Sequence, residues 1–360
     1  MRNRWAADAF VQMWRIAAWL RTELLCWTGC FWWAKFRLRR EGAVVVLMLH
    51  RVLTREEYEK TGSEPDIILG VETFRNLVRY AKRTCEIAAL ETPAKANDAG
   101  SQTARASRTR PMIAITLDDG WHDNYTSVLP VVVAEGIPVT IFVCPGLIGC
   151  DLPFWPEQIA KAMKKKAPEL RQSELTALVE QLKDFEPQRR DLLIGALSRQ
   201  NGAPSCREVK EIDRTLSWEE ILEMSKAGVR FGSHSCSHQI LPQLPLDEVQ
   251  HEIRDSKQAL DMVLNSECKV FAYPNGNYSK TARRILAEAG YQAAVTTECG
   301  AWTRDRDPFA IPRVNISDSS VTGLSGRFSG AMFDYTVFWR AYRRLGSRRK
   351  MAAAWRSVTP

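Results

Sequence analysis

Short apolar runs alternate with longer amphipathic stretches along residues 43–316. Residues 43–49 (AVVVLML), 112–117 (MIAITL), 139–143 (VTIFV), 229–232 (VRFG), 270–273 (VFAY) and 291–296 (YQAAVT) are β-rich, with turn residues such as Gly136, Pro138, Pro274 and Gly290 beside them. Near-continuous apolar runs of this length suit strands buried on both faces. Between them, Ser217-Trp-Glu-Glu220 has the spacing of a helix capping box. Residues 247–264 place Val249, Ile253 and Leu260 on one helical side, and residues 280–289 form a further helix closed by Gly290. Strands alternating with helices imply a parallel sheet with helices packed on it.

Two stretches depart from this rhythm. Residues 92–111 are small, polar and aperiodic and read as an inserted flexible loop. Residues 156–212 are charged and helix-forming, an expected helical insertion whose Lys164, Lys165 and Lys166 read as a solvated face. The body is expected at 41–326, between a Trp-rich helical segment at 1–40 and an amphipathic tail at 327–360.

Composition changes the picture mainly at the ends. The 360-residue chain is 45% hydrophobic and 26% charged, an ordinary globular balance that excludes general disorder. Its net charge of +8 is uneven. Residues 1–40 carry eight Arg and Lys against Asp8 and Glu23, residues 327–360 carry eight against Asp334, and the body between them is net acidic. Nucleic-acid binding would call for a basic face on the folded body, so none is expected. Two basic ends suit an anionic membrane surface, and six of the twelve Trp lie in residues 1–40. Residues 11–36 read as a helix whose apolar run, 24–34, is broken by Thr28 and Gly29. Runs well short of the roughly 20 residues of a span are interfacial or buried, so interfacial anchoring is expected ahead of packing on the body or a weak span. Arg15, Arg21 and Lys35 within or beside the run argue against a signal peptide. In the tail, Phe333, Val337, Phe338 and Tyr342 recur at helical spacing among Arg340, Arg343 and Arg344, which fits a membrane-surface helix or a helix covering one edge of the core. Nine cysteines in no metal or disulfide pattern favour a reducing compartment, hence the cytoplasm or the cytoplasmic face of a membrane.

The candidate chemistry falls where the apolar runs end. His50 follows the first run, Asp118 and Asp119 the second, and His234 follows Ser233 after the fourth. Catalytic groups of parallel barrels gather at the carboxyl ends of strands. His234 and His238, four apart, suit one divalent metal ion, and one Asp of the adjacent pair can complete the set while the other accepts a proton from water. His122 and His251 read as surface residues, and the Cys236 thiol as pointing away from the site.

These residues resemble the motifs of the polysaccharide deacetylases with the NodB homology domain. Thr-Phe-Asp-Asp-Gly is matched by Thr116 to Gly120 with Leu117 for Phe, and His-Ser/Thr-x-x-His by His234, Ser235 and His238. The resemblance covers about residues 43–320 and implies an α/β fold, a distorted (β/α) barrel with fewer than eight regular units. It implies Asp118 as general base, Asp119, His234 and His238 as ligands of a divalent ion (zinc first), and Ser235 as a support of the histidine loop. The Arg-x-Pro-Tyr motif falls on Ala272-Tyr273-Pro274-Asn275, so the Arg is missing; Arg313 is the expected substitute, and the Asn275 N–H can still serve an oxyanion. No histidine follows His251 to match the late Leu-x-x-His motif. In the branch resembling poly-N-acetylglucosamine deacetylases an early histidine on the first strand is the acid, which implies His50. Tyr273 and Trp155 are expected to line the pocket, Trp155 by stacking on a sugar.

The expected activity is removal of N-acetyl groups from a glycan, in surface or exopolysaccharide synthesis. A deacylase acting on a lipid-linked sugar and a silent glycan-binding module are the competing readings.

Overall fold

The computed structural model describes residues 2–91, 109–149, 154–167, 169–200 and 213–345. Among the described residues there are ten strands: β1 (Val44–Leu49), β2 (Arg51–Leu53), β3 (Ile68–Gly70), β4 (Glu86–Ile87), β5 (Met112–Leu117), β6 (Thr140–Val143), β7 (Arg230–Ser233), β8 (Val270–Ala272), β9 (Ala293–Val295) and β10 (Arg313–Asn315). The main sheet runs β10-β1-β5-β6-β7-β8-β9, with every pair parallel. β4 flanks the start of β5, whereas β6 pairs only with its end, at Thr116 and Leu117. Beyond β9, Ile311 bridges back to Val295, and Arg313 N donates to Glu298 O at 2.8 Å. The sheet thus curls into a nearly closed, distorted (β/α) barrel. β2 and β3 form a separate two-stranded ribbon.

The pleat sorts the apolar residues into two layers. Val44 and Val46 of β1, Met112 and Ala114 of β5, and Phe142, Val270, Ala272, Ala293 and Val295 pack together as one cluster. Their neighbours Val45, Leu47, Leu49, Ile113, Ile115 and Leu117 belong to the larger cluster beneath the helices. This period of two runs past the strand ends, so the positions in step with the first layer are His50, Asp118 and His234. Close approach is built in beneath the site. A Cβ at Gly120, where φ is +65°, would lie 2.6 Å from Val143 Cγ1, and one at Gly232 would lie 2.6 Å from the Phe142 ring.

Most expected elements are present with shifted ends, and Ser217 caps its helix, with Glu220 reaching back. β10 carries Arg313 and had no apolar run to mark it. Residues 92–108 of the expected loop lie outside the described residues. The insertion forms helices Trp155–Lys166, Gln172–Lys183 and Pro187–Gln200.

The N-terminal segment is two helices, α1 (Arg2–Trp27) and α2 (Cys30–Arg40), parted at Gly29, whose φ is +74°. α2 buries Phe31, Ala34 and Leu38, and Lys35 binds Asp334 at 2.6 Å. The tail helix begins at Gly330–Asp334 and continues through a π-helical turn, Tyr335–Trp339. Its apolar residues Phe333, Val337 and Phe338 are buried in the main core. The reading of the tail as a membrane-surface helix is therefore corrected: its apolar face is already occupied by the barrel and α2. No helix among the described residues is long and apolar enough to cross a membrane.

Candidate active site

Four strand ends meet at the open end of the barrel. A cavity of about 180 Å³ is lined there by His50, Asp118, Asp119, His234, His238 and Asn275, among others. Loop strain concentrates here: Asp119 (φ +73°), Ser235 (+65°), His238 (+61°) and Asn275 (+56°) all occupy the left-handed region. Held strain of this kind persists only where surrounding contacts enforce it.

Those contacts can be traced for Asp119. Its Oδ2 accepts a hydrogen bond from Trp121 Nε1 at 3.0 Å. Its Oδ1 is left facing His234 Nε2 and His238 Nε2, each at 3.5 Å. The Trp121 ring lies under the guanidinium of Arg51, 4.3 Å from the ring centroid. Arg51 is wholly buried and donates to Asp123 Oδ2 at 3.0 Å and Asp213 Oδ1 at 2.7 Å. His234 Nδ1 donates to Ala272 O at 2.8 Å, so Nε2 is the nitrogen turned toward Asp119. Ser235 Oγ accepts from His238 N at 3.0 Å. Glu252 closes the loop from outside, accepting from Cys236 N (2.8 Å), Ser237 N (2.9 Å) and Ser237 Oγ (2.5 Å).

One ligand atom each from Asp119, His234 and His238 lies within 4.8 Å of the others. An anionic oxygen and two aimed imidazole nitrogens suit a divalent transition ion, with room left for water and substrate. Burial lifts the Asp119 carboxyl, but His234, His238 and His50 outweigh it and hold the group far below its ordinary range. Burial and the His234 charge push His238 down to about 4, so its ring is neutral at pH 7.

Asp118 faces a different partner. Arg313 NH1 and NH2 donate to its two carboxylate oxygens, each at 2.7 Å. Arg313 is itself fully buried and oriented by Nε donating to Thr296 O at 2.9 Å. Burial raises the Asp118 carboxyl, and Arg313 with His234 more than offsets this, so the group stays ionised below its ordinary value. His50 Nε2 is 3.9 Å from Asp118 Oδ2. The His50 carbonyl accepts from Asn124 Nδ2 at 3.1 Å.

The other expected residues divide. Asn275 is exposed on the cavity wall. Tyr273 lines the floor of the cavity as expected, although it is buried and its hydroxyl is taken up by Phe309 O at 3.0 Å. Pro274 is buried in the turn and is not among the residues lining the cavity. Trp155 lines the cavity, but Arg190 lies over its ring, 4.6 Å from the centroid. Its apolar surface packs within the inserted helices, which reduces what a sugar could use. His122 lies between Glu220 and Arg214, and His251 pairs with Asp255 on an exposed helix face. Sequence reasoning missed the supports Arg51, Trp121 and Glu252, and Glu157 on the cavity wall. Trp121, two residues beyond Asp119, was the one with a local signal. Burial and the Asp119 charge push the Glu157 carboxyl up to about 8.

The family model for polysaccharide deacetylases matches residues 105–294, and the chain belongs to this family. YxkH of Bacillus subtilis (strain 168), which carries the polysaccharide deacetylase name, is 34% identical over 119 residues. That stretch is 33% of this chain and 41% of YxkH, so the match spans less than half of that relative's length. Among solved structures, the deacetylase PplD of Streptococcus pyogenes superposes with a TM-score of 0.52 at 19% identity, covering 76% of this chain and 92% of its own. IcaB from Ammonifex degensii superposes with a TM-score of 0.51 at 19% identity, covering 77% and 93%. These likenesses establish the barrel fold.

Proposed function

We propose that the protein is a metal-dependent hydrolase that removes N-acetyl groups from amino sugars of a glycan made for the cell surface or for export. The observation that carries this is the division of labour between adjacent carboxylates: Asp119 faces two imidazoles and Asp118 faces Arg313. Asp119, His234 and His238 would hold the divalent ion, zinc first. When bound, that ion supplies Lewis acidity for the acyl carbonyl and for water.

The remaining chemistry belongs to the chain. Asp118, kept ionised by Arg313, takes a proton as water adds to the acyl carbon. The backbone N–H of Asn275 supports the developing oxyanion. His50, acting as the acid, gives a proton to the departing nitrogen as the carbon–nitrogen bond breaks, leaving acetic acid and the amine, which in water exchange that acid's proton to become acetate and an ammonium group. The proton on Asp118 can then return to His50 across their 3.9 Å separation, which resets both groups.

The silent-module reading loses its main support, because the guanidinium missing at Ala272 arrives from Arg313. A sugar carried on a lipid is the second substrate reading. It is favoured by the first two inserted helices, whose Trp155, Glu157, Val179 and Lys183 wall one side of the cavity, beside Phe154, which packs edge-on against His238 at 5.1 Å. A small, walled cavity suits a single terminal sugar. The free thiols of the seven described cysteines suit a reducing compartment.

The test is acetate release from N-acetylglucosamine oligomers by zinc-loaded protein, with Asp118→Asn alongside. Release should fall by about 10²–10⁴-fold in the variant while metal binding is retained. An Asp118→Asn protein of undiminished activity would remove Asp118 from the mechanism.

A further inference from the structure

One side of α1 packs on α2 and the tail helix, and another side is apolar and uncovered. Thr22 is buried toward the body, and Arg21 lies over the Tyr335 ring of the tail helix at 4.9 Å. On the other face Met13, Ile16, Leu20, Leu24 and Trp27 follow one another at spacings of three and four, so they share one stripe. Their exposures run from 44% at Ile16 to 87% at Trp27. The stripe is about 21 Å long at helical rise. Beyond the Gly29 corner it continues into Trp32 and Trp33, 68% and 46% exposed, each stacked on Phe36. A continuous apolar surface of this kind on a folded protein marks an interaction site.

Its border identifies the occupant. Arg37 lies over the Trp33 ring at 5.9 Å and Arg39 over the Phe36 ring at 5.5 Å. Arg40 is exposed at the end of α2, and Arg340 and Arg343 are exposed on the tail helix that α2 packs against. A second copy of the chain on this face would bring arginine against arginine, which disfavours a symmetric dimer. An anionic bilayer presents the complementary charge, and indole rings partition to its headgroup region. The stripe runs along one side of α1 from Met13 to Trp27, which suits a helix lying in the interface plane.

We propose that the outer face of α1, with Trp32 and Trp33 of α2, docks the protein peripherally on an anionic lipid bilayer. The apolar stripe sinks toward the acyl boundary and the arginines contact lipid phosphates. The catalytic cavity is not used in this contact, so the inference stands apart from the proposed reaction.

The experiment is co-sedimentation of the full chain with phosphatidylcholine vesicles, with and without phosphatidylglycerol, at low and high salt. Binding should require the anionic lipid and weaken with salt. Trp27→Ser/Trp32→Ser/Trp33→Ser should weaken it by on the order of tenfold or more. A circular-dichroism melt checks that this variant folds, and quenching of wild-type tryptophan fluorescence by bromine-labelled lipid gives a readout independent of it. No binding at either composition, or binding unchanged in the folded variant, overturns the proposal. A wild-type dimer that the variant dissociates, with no lipid binding, reassigns the face to self-association.

Discussion

Arg313 and Asp118 stand 195 positions apart in the chain and meet through two parallel hydrogen bonds of 2.7 Å. Both side chains are buried, so each neutralises a charge the other could not carry alone. The fork uses both carboxylate oxygens and fixes the plane of the carboxylate. The guanidinium comes from β10, beside β1 in the sheet, and not from the segment after β8 where the family motif would place it.

Removing this guanidinium should have two separable effects. Arg313→Ala leaves a buried carboxylate uncompensated, a loss of about 3–5 kcal/mol of stability by analogy with broken buried pairs. Asp118 would also lose the partner that holds its carboxyl down, so the acid limb of the kcat profile should move to higher pH. The sign follows from the direction of the native shift: a lowered carboxyl stays ionised to lower pH, and releasing it narrows that range from the acid side. Arg313→Lys keeps the charge but not the fork, and should fall between the two. A kcat–pH profile with an unmoved acid limb in Arg313→Ala would show that Arg313 does not tune the base.

Glu252 should matter to metal binding although it touches no candidate ligand side chain. It accepts three hydrogen bonds from the turn that carries His234 to His238. Glu252→Ala would leave two backbone N–H groups and one hydroxyl without their acceptor, at roughly 1–3 kcal/mol for each donor that water cannot reach. Loosening the turn should reduce zinc affinity by about 10–100-fold, the usual scale for outer partners of metal ligands. Competition with a chromogenic chelator measures this, and an unchanged affinity in a folded variant would confine Glu252 to stability.

How much of this was legible depends on whether a residue's partners are local. Period-two alternation and turn residues place His50, Asp118 and His234 at strand ends, and spacing alone joins His234 to His238. The Arg313–Asp118 fork needs the register of a three-residue strand that sits beside β1 although it is last in the chain. No apolar run marks that strand, so only the missing motif Arg pointed to Arg313. Glu252 lies 16 positions from Cys236 on a helix whose periodicity reports its apolar face alone. The tail and α1 show the same limit. Both have apolar faces in sequence, but packing decides that the tail's face is covered and the outer face of α1 is not.

Glu157 offers a pH test independent of turnover. Its carboxyl is raised from an ordinary 4.5 to about 8, burial first and the Asp119 charge second. A raised carboxyl means that the folded state holds the proton more tightly than the unfolded state. Stability should therefore be greatest below about 4.5 for this group, decline as pH rises toward 8, and level off beyond. Glu157→Gln should lack that decline, so its thermal-stability advantage over the wild type should widen between those limits. The comparison belongs in chelator, because an ion at Asp119 would change the field at Glu157. A difference in Tm that is flat with pH would show that Glu157 is not held protonated.

His50 should be needed only when the leaving group needs a proton. Its Nε2 is 3.9 Å from Asp118, and its Nδ1 has no hydrogen-bond partner among the described residues, so none of these fixes it as a structural histidine. An amine leaves an amide carbon as the neutral molecule, so its nitrogen must be protonated as the bond breaks. A nitrophenolate leaves an ester as the stable anion and requires no such donor. His50→Ala should then lose about 10²–10⁴-fold in kcat on N-acetylglucosamine oligomers. On 4-nitrophenyl acetate, where the same ion and the same Asp118 act, it should keep most of its rate. Equal losses on both substrates would mean that His50 supports the site in some other way, for instance by positioning Asp118. A loss confined to the amide identifies it as the acid.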